Sequence, residues 1–132
     1  SHQRPAKVIN IASVDGLRIN PWETYSYQAS KAALIHLTRR MAARLVKDHV
    51  YVTAIAPGAF PSDMNKVARD MADESSKGIP NQRVGDALDM GGSAVYLASR
   101  AGDYTVGETL AVDGGIVNAH LPSHFADPAG GR

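Results

Sequence analysis

The chain has 132 residues, 44% of them hydrophobic and 20% charged, with a net charge of +1. That length suits one domain with a modest core, and the near-neutral charge gives no reason to expect nucleic acid or an anionic membrane surface as a partner. The absence of cysteine excludes disulfides and thiolate chemistry, and no apolar run approaches the ~20 residues of a membrane span. The given sequence starts Ser1-His2-Gln3 without an initiating methionine, and no signal peptide is expected from these residues. The expectation is a cytoplasmic chain, processed or cut from a longer one.

Residues 1–6 are polar, contain Pro5 and read as a loop. Lys7-Val-Ile-Asn-Ile-Ala12 is short, apolar and β-branched, the pattern of a buried parallel strand, and Ser13-Val-Asp-Gly16 breaks it. Pro21 precedes a helical run from about Glu23 to Lys47. In that run Leu34, Leu37, Met41 and Leu45 recur at three and four, and Ala29, Ala32, Ala33, Ala42 and Ala43 keep the helix slim enough for close packing. Val50 to Ala56 reads as a second strand, ended by Pro57-Gly58. Residues 59–85 form a long polar connection with a short helix around Asp63–Asp73, the kind of loop that serves as a lid. Asp86–Ser99 reads as a helix with Leu88, Val95 and Leu97 apolar, weakened by Gly91-Gly92. Thr109–Val112 is a third strand, closed by Asp113-Gly-Gly115, and residues 118–132 read as a mobile tail.

Strand, helix, strand, lid and helix, strand is the order of an α/β fold with a parallel sheet and right-handed crossovers. Ligands bind beyond the carboxyl ends of such strands. Ser13, Pro57-Gly58 and Asp113-Gly114 all fall there. Three parallel strands alone are expected to leave one sheet face and an edge open.

Tyr27 and Lys31 stand four apart in the long helix, so they share one face, one turn apart. An ammonium beside a phenol favours the phenolate, and a phenol so placed can pass a proton to or from a carbonyl or hydroxyl oxygen. With five Tyr and five Lys in the chain, such a pair arises by chance roughly one time in five. Other candidates have plainer readings beside them. Tyr25 faces away from Tyr27 and reads as packing or channel lining. Ser13 could also be a plain turn residue, while Ser62 reads equally as a helix cap and Asp113-Gly114-Gly115 equally as a tight turn. His120 and His124 bracket Pro122 in a loop and make no zinc set, and no Gly-x-Ser-x-Gly elbow exists for a serine hydrolase.

Five stretches together resemble the short-chain dehydrogenase/reductase family. They are Asn10-Ile-Ala-Ser13-Val-x-Gly16, Tyr27-x-Ala-Ser-Lys31-Ala-Ala33, Ala56-Pro-Gly58 with Ser62-Asp-Met64, Ile79-Pro80-x-x-Arg83-x-Gly85, and Val112-Asp-Gly-Gly115. They stand in the family's order over residues 7–117, like the C-terminal catalytic half of its domain. Tyr25-x-Tyr27 and the Pro57–Met64 stretch look closest to the 3-oxoacyl carrier-protein reductases, the rhamnolipid type among them. The resemblance implies a partial Rossmann-like, doubly wound parallel sheet of about three strands with flanking helices. It implies NADP(H) or NAD(H) as cofactor, NADP(H) somewhat favoured, and a small carbonyl, alcohol or acyl substrate. It makes Tyr27 the proton donor or acceptor and Ser13 the donor to the substrate oxygen. Lys31 would hold the nicotinamide ribose and favour the phenolate. Pro57 and Gly58 would shape the turn over the nicotinamide, with Phe60, through its backbone, and Ser62, through its hydroxyl, meeting the carboxamide. The family usually has Thr where Ser62 stands. It also implies homo-oligomers through the 23–47 helix.

The family's first half has no counterpart in these residues: none of the 12 glycines has the Gly-x-Gly-x-x-Gly spacing that puts a pyrophosphate at a helix N-terminus. The family's catalytic asparagine is missing with it. Two readings follow. One is the catalytic half of an NAD(P)-dependent reductase, inactive as 132 residues alone. The other is a non-catalytic remnant or interaction module.

Overall fold

Ala6–Ile11 (β1), Val50–Pro57 (β2) and Thr109–Val112 (β3) form one parallel sheet in the order β1-β2-β3 in the computed structural model, which describes residues 4–121. Register runs from Ala6 opposite Val50 to Ile11 opposite Ile55, and from Ala54 opposite Thr109 to Pro57 opposite Val112. β2 is central, and Val52, Ala54, Ile55 and Ala56 are fully buried. Burying side chains such as Val52 and Ile55 stabilises the fold by roughly 1.5–3 kcal/mol each. The strand reading holds, with β1 beginning at Ala6 rather than Lys7.

Tyr25–Leu45 (α1) follows β1, then a 3₁₀ turn, Val46–Asp48, ended by His49 in the left-handed conformation (φ 59°). The start falls two residues after the expected Glu23. Gln28 Nε2 donates to Asn20 Oδ1, Trp22 O and Thr24 Oγ1, and so gathers residues 20–24 into a loop ahead of the first turn. The buried stripe of α1 also differs from expectation. Ile35, Thr38 and Ala42 are buried, whereas Leu37 is 48% exposed. Thr38 is drawn inward by a polar partner: Asn10 Nδ2 donates to Thr38 Oγ1 (3.0 Å), which donates to Leu34 O (2.8 Å).

Neither sheet face is bare, contrary to expectation. Side chains alternate across a strand, so Asn10, bound to α1, and Lys7 lie on opposite faces. Lys7 meets Asp103, in the turn after Ala87–Ala98 (the helix labelled α4 below), so α1 and that region cover opposite faces. Arg4 (2.7 Å), Lys7 (2.9 Å) and Arg100 (3.4 Å) converge on the Asp103 carboxylate, and the Lys7 bond above all holds its carboxyl below the usual range. The outer edge of β1 is unpaired among the described residues, and Ile11 is 52% exposed beside it.

The 59–85 connection carries two short helices, Lys66–Asp70 (α2) and Ala72–Ser76 (α3), rather than one over Asp63–Asp73. Asn65 Oδ1 caps α2 by accepting from Ala68 N, and Met71 leaves the helical region between the two (φ −130°, ψ 49°). Ala87–Ala98 (α4) begins with a reciprocal cap: Asp86 accepts from Leu88 N and Asp89 N, and Asp89 accepts from Asp86 N. Of its expected apolar residues only Leu97 is buried, with Leu88 84% and Val95 66% exposed. No helix among the described residues is long and apolar enough to cross a membrane. Of the expected tail, residues 122–132 lie outside the described residues.

Candidate active site

β1 delivers Ser13 to the carboxyl rim. Ala12 N donates to Ile55 O (2.7 Å), the last sheet bond on this strand, and the chain then turns out of the sheet. Ser13 is buried and extended, and its Oγ accepts from Asp15 N (3.1 Å), capping the Val14–Gly16 turn. Its turn role is therefore real. It uses only an acceptor lone pair and leaves the O–H as a donor.

Gly16 sets α1 against that turn. A Cβ there would lie 2.7 Å from Lys31 C and 2.8 Å from Ala32 N, so only a residue with no side chain lets the helix backbone approach so closely. Lys31 completes the tie, donating from Nζ to Ile11 O (2.9 Å). The same ammonium stands 5.6 Å from the centroid of the Tyr27 ring. Lys31 thus links the end of β1, where Ser13 follows, to Tyr27 in the first turns of α1, and Tyr27 is 37% exposed.

Tyr25 and Tyr27 differ in their neighbours. The nearby Glu23 carboxylate, above all, pushes the Tyr25 phenol's ionisation above the usual range. Tyr25 is 70% exposed. Tyr27 has a cation beside it.

β2 and β3 contribute the next part of the rim. Gly58 N donates to Val112 O (2.9 Å), and a Cβ on Gly58 would lie 2.8 Å from Asp113 Cα. Pro57 and Gly58 therefore sit beside the Asp113 turn at adjoining strand ends. Asp113 is a turn residue: its carboxylate accepts from Gly115 N and Val117 N, both at 2.9 Å. Phe60 lies beyond, its ring over Gly85. Ser62 is exposed, and its Oγ accepts from Asn65 N (2.9 Å), which orders the turn before α2 rather than capping the helix itself. A cavity of about 70 Å³ opens among Phe60, Ile79, Arg83, Gly85 and Gly114.

The donor set fits the nicotinamide–ribose end of a dinucleotide: two hydroxyls and an ammonium from Ser13, Tyr27 and Lys31, beside a tight strand-end turn at Pro57-Gly58. Among the described residues nothing comparable serves a pyrophosphate. Gly16, Gly58 and Gly114-Gly115 follow the three strands, and none leads directly into a helix. No group of three His, Asp or Glu side chains among the described residues could hold a metal ion.

Sequence reasoning quoted Asn10, Gly16 and Arg83 within motifs without giving them roles. The structure makes the first two the ties between β1 and α1. Arg83 holds Asp89 with two bonds of 2.6 and 2.9 Å. The Asp86-x-x-Asp89 spacing was the one local signal of that arrangement.

The model of the family described as enoyl-(acyl carrier protein) reductase matches residues 1–117. The rhamnolipids biosynthesis 3-oxoacyl-[acyl-carrier-protein] reductase of Pseudomonas aeruginosa is 42% identical over 119 residues, which are 88% of this chain and 46% of that protein. The 3-oxoacyl-[acyl-carrier-protein] reductase FabG of Chlamydia trachomatis is 37% identical over 114 residues, 86% of this chain and 46% of that one. Among solved structures, the P. aeruginosa RhlG/NADP active-site complex superposes with a TM-score of 0.80 at 40% identity, covering 86% of this chain and 47% of the other. The chain spans about half the length of the curated relatives it matches. With a family match over most of its length and the site motifs in register on a parallel α/β sheet, the chain belongs to the short-chain dehydrogenase/reductase family.

Proposed function

We propose that residues 7–117 form the catalytic half of an NAD(P)-dependent carbonyl reductase, with a 3-oxoacyl group as the favoured substrate and NADP(H) as the favoured cofactor. The observation that carries this is the Ser13–Tyr27–Lys31 cluster at the carboxyl rim, fixed by Gly16 and by the 2.9 Å Lys31–Ile11 bond. Relatives named 3-oxoacyl-[acyl-carrier-protein] reductases and a neighbour solved with NADP support the substrate and cofactor.

The nicotinamide, when bound, supplies the hydride. Everything else falls to this chain. Tyr27 donates its phenolic proton to the carbonyl oxygen as that oxygen gains charge, or takes it back in the oxidising direction. Ser13 donates a second hydrogen bond to the same oxygen and stabilises the developing charge. Lys31 keeps a positive charge beside the phenol and reaches the ribose hydroxyls. Pro57 and Gly58 would shape the turn over the nicotinamide, and Phe60 by its backbone and Ser62 by its hydroxyl would hold the carboxamide. Ser62 Oγ accepts from Asn65 N and can still donate. Exposed Ala29, Ala32, Ala33 and Leu37 on α1 support a homo-oligomer through that helix, in the cytoplasm where NADPH is held.

The second reading, an interaction module without turnover, is favoured by one observation: the unpaired β1 edge beside exposed Ile11. A thermal melt with and without NADPH and NADH separates the two. A midpoint raised by one nucleotide identifies a working cofactor site, and indifference to both refutes cofactor binding by this chain on its own. In any form that turns over, Tyr27→Phe is expected to lower kcat by about 10²–10⁴-fold while nucleotide binding persists. Retained turnover would sink the assignment of Tyr27.

A further inference from the structure

The last residue of the 59–85 connection is a glycine whose backbone needs none. Gly85 is absent from the positive-φ residues of the chain, so conformational freedom does not account for it. Space does. A Cβ at Gly85 would lie 2.3, 2.4 and 2.8 Å from Cε1, Cζ and Cδ1 of Phe60. The Phe60 ring lies directly over the Gly85 backbone. A second bond joins the same two segments: Gly85 N donates to Ala59 O (2.9 Å).

Gly85 is itself held from two sides. Arg83 clamps Asp89 of α4 through Nη1 and Nη2, and Asn81 N donates to Gly114 O (3.0 Å) at the end of β3. Ile79 is buried nearby. The connection is therefore not free along its length. Its two ends are fastened to each other and to the sheet rim, and Ala59-Phe60 are held in place by a residue 25 positions further along the chain.

We propose that Gly85 is a positioning residue for the cofactor. It acts through Phe60, by letting the ring seat on its backbone and so fixing the Ala59–Phe60 main chain at the rim. The proposal rests on the nicotinamide reading above, which puts the Phe60 backbone against the carboxamide. It adds a residue that touches neither cofactor nor substrate. The cavity of about 70 Å³ beside Phe60 and Gly85 gives the displaced ring somewhere to go, so a methyl at 85 shifts Phe60 without blocking folding.

The test is a set of Gly85→Ala, Phe60→Leu and the double variant, in a form of the protein that binds NADPH. NADPH affinity is read by fluorescence titration and kcat at saturating NADPH, with far-UV circular dichroism as the fold control. Gly85→Ala is expected to weaken NADPH about tenfold and lower kcat by less than about threefold, because it misplaces a binding contact and no proton donor. Phe60→Leu removes the ring that the added methyl would meet, so Gly85→Ala is expected to cost at least about threefold less affinity in the Phe60→Leu background than in wild type. Wild-type affinity in Gly85→Ala overturns the proposal, as does an equal cost of Gly85→Ala in the wild-type and Phe60→Leu backgrounds. A loss confined to kcat also overturns it. If no wild-type form binds NADPH or NADH, the functional reading is refuted, and the cofactor role of Gly85 falls with it. That result is distinguishable, since wild-type binding is measured first.

Discussion

Gly16→Ala tests whether the site depends on the closeness of α1 to the Val14–Gly16 turn. The added Cβ would stand 2.7 Å from Lys31 C, 2.8 Å from Ala32 N and 2.8 Å from Ile35 Cδ1. Two of these are backbone atoms inside a 21-residue helix and cannot turn aside. Reaching an ordinary contact of 3.4 Å requires α1 to withdraw by about 0.7 Å, or the turn to move by as much. Inserting a methyl group into such a contact costs roughly 1–3 kcal/mol, and a clash with main chain belongs near the upper end, about 2–3 kcal/mol. At about 3–5 °C per kcal/mol for a domain of this size, the midpoint should fall by about 6–15 °C.

Gly91→Ala in α4 supplies the control, because the chemistry is identical and the surroundings are not. A Cβ there meets nothing within 4 Å, and the position is exposed in a helix interior. Helix propensity then acts alone and should stabilise by about 0.5–1 kcal/mol. The assay is thermal unfolding by circular dichroism of the two variants beside wild type. Opposite signs are expected. A Gly16→Ala midpoint within 1 °C of wild type would refute the claim that this contact holds α1, and with it the account of how Tyr27 and Lys31 are brought to Ser13.

Three further outcomes follow from particular bonds. Thr38→Val keeps the shape of a fully buried side chain but leaves Asn10 Nδ2 without its acceptor. It should cost about 1–3 kcal/mol in urea unfolding, and Thr38→Ser should recover most of that. His49 sits at φ 59° after α1 with an exposed side chain. His49→Gly should therefore stabilise by about 1 kcal/mol, read as a higher urea midpoint at unchanged slope. The Arg83 bond, above all, holds the Asp89 carboxyl well below its usual range. A depressed carboxyl contributes stability that is present above the unfolded value of about 4 and is lost as pH falls below it. The difference in melting midpoint between wild type and Asp89→Asn should be widest near neutrality and shrink below about pH 4. A gap that grows on acidification would refute the pairing.

The strands were legible because β-branched runs bounded by Pro and Gly are a local signal, and all three lie within one residue of where they were read. Ser13, Pro57-Gly58 and Asp113 were legible as a rim because parallel topology alone brings strand ends together. The buried face of α1 was not. Hydrophobicity pointed to Leu34, Leu37, Met41 and Leu45, but Asn10, 28 residues away, turns Thr38 inward and leaves Leu37 in solvent. No periodicity within the helix encodes a partner on a strand. Leu88 and Val95 misled for a related reason, since their exposure depends on what packs against α4 and not on α4 itself. In the 59–85 connection, polar caps decided the outcome: Ser62 Oγ and Asn65 Oδ1 postpone the first helix to Lys66.

The ties that build the site are short in space and belong to two separate sets. Gly16, Lys31 and the Asn10–Thr38 pair fix α1 to β1, and thereby the groups that move a proton. Gly85, Arg83 and Asn81 fix the end of the connection to α4 and β3, and thereby the residues read as meeting the nicotinamide. Among the described residues the two sets meet at the carboxyl end of the central strand, β2, where Ala12 N donates to Ile55 O and Gly58 N to Val112 O. Perturbations in the first set should therefore appear in the proton-transfer step, and those in the second in cofactor affinity, with little coupling between them. Combining Gly85→Ala with Tyr27→Phe is the sharpest check of that separation, since the affinity loss of one and the rate loss of the other should multiply. A combined effect clearly smaller than the product would mean that the two halves of the rim move together, and that β2 transmits strain between them.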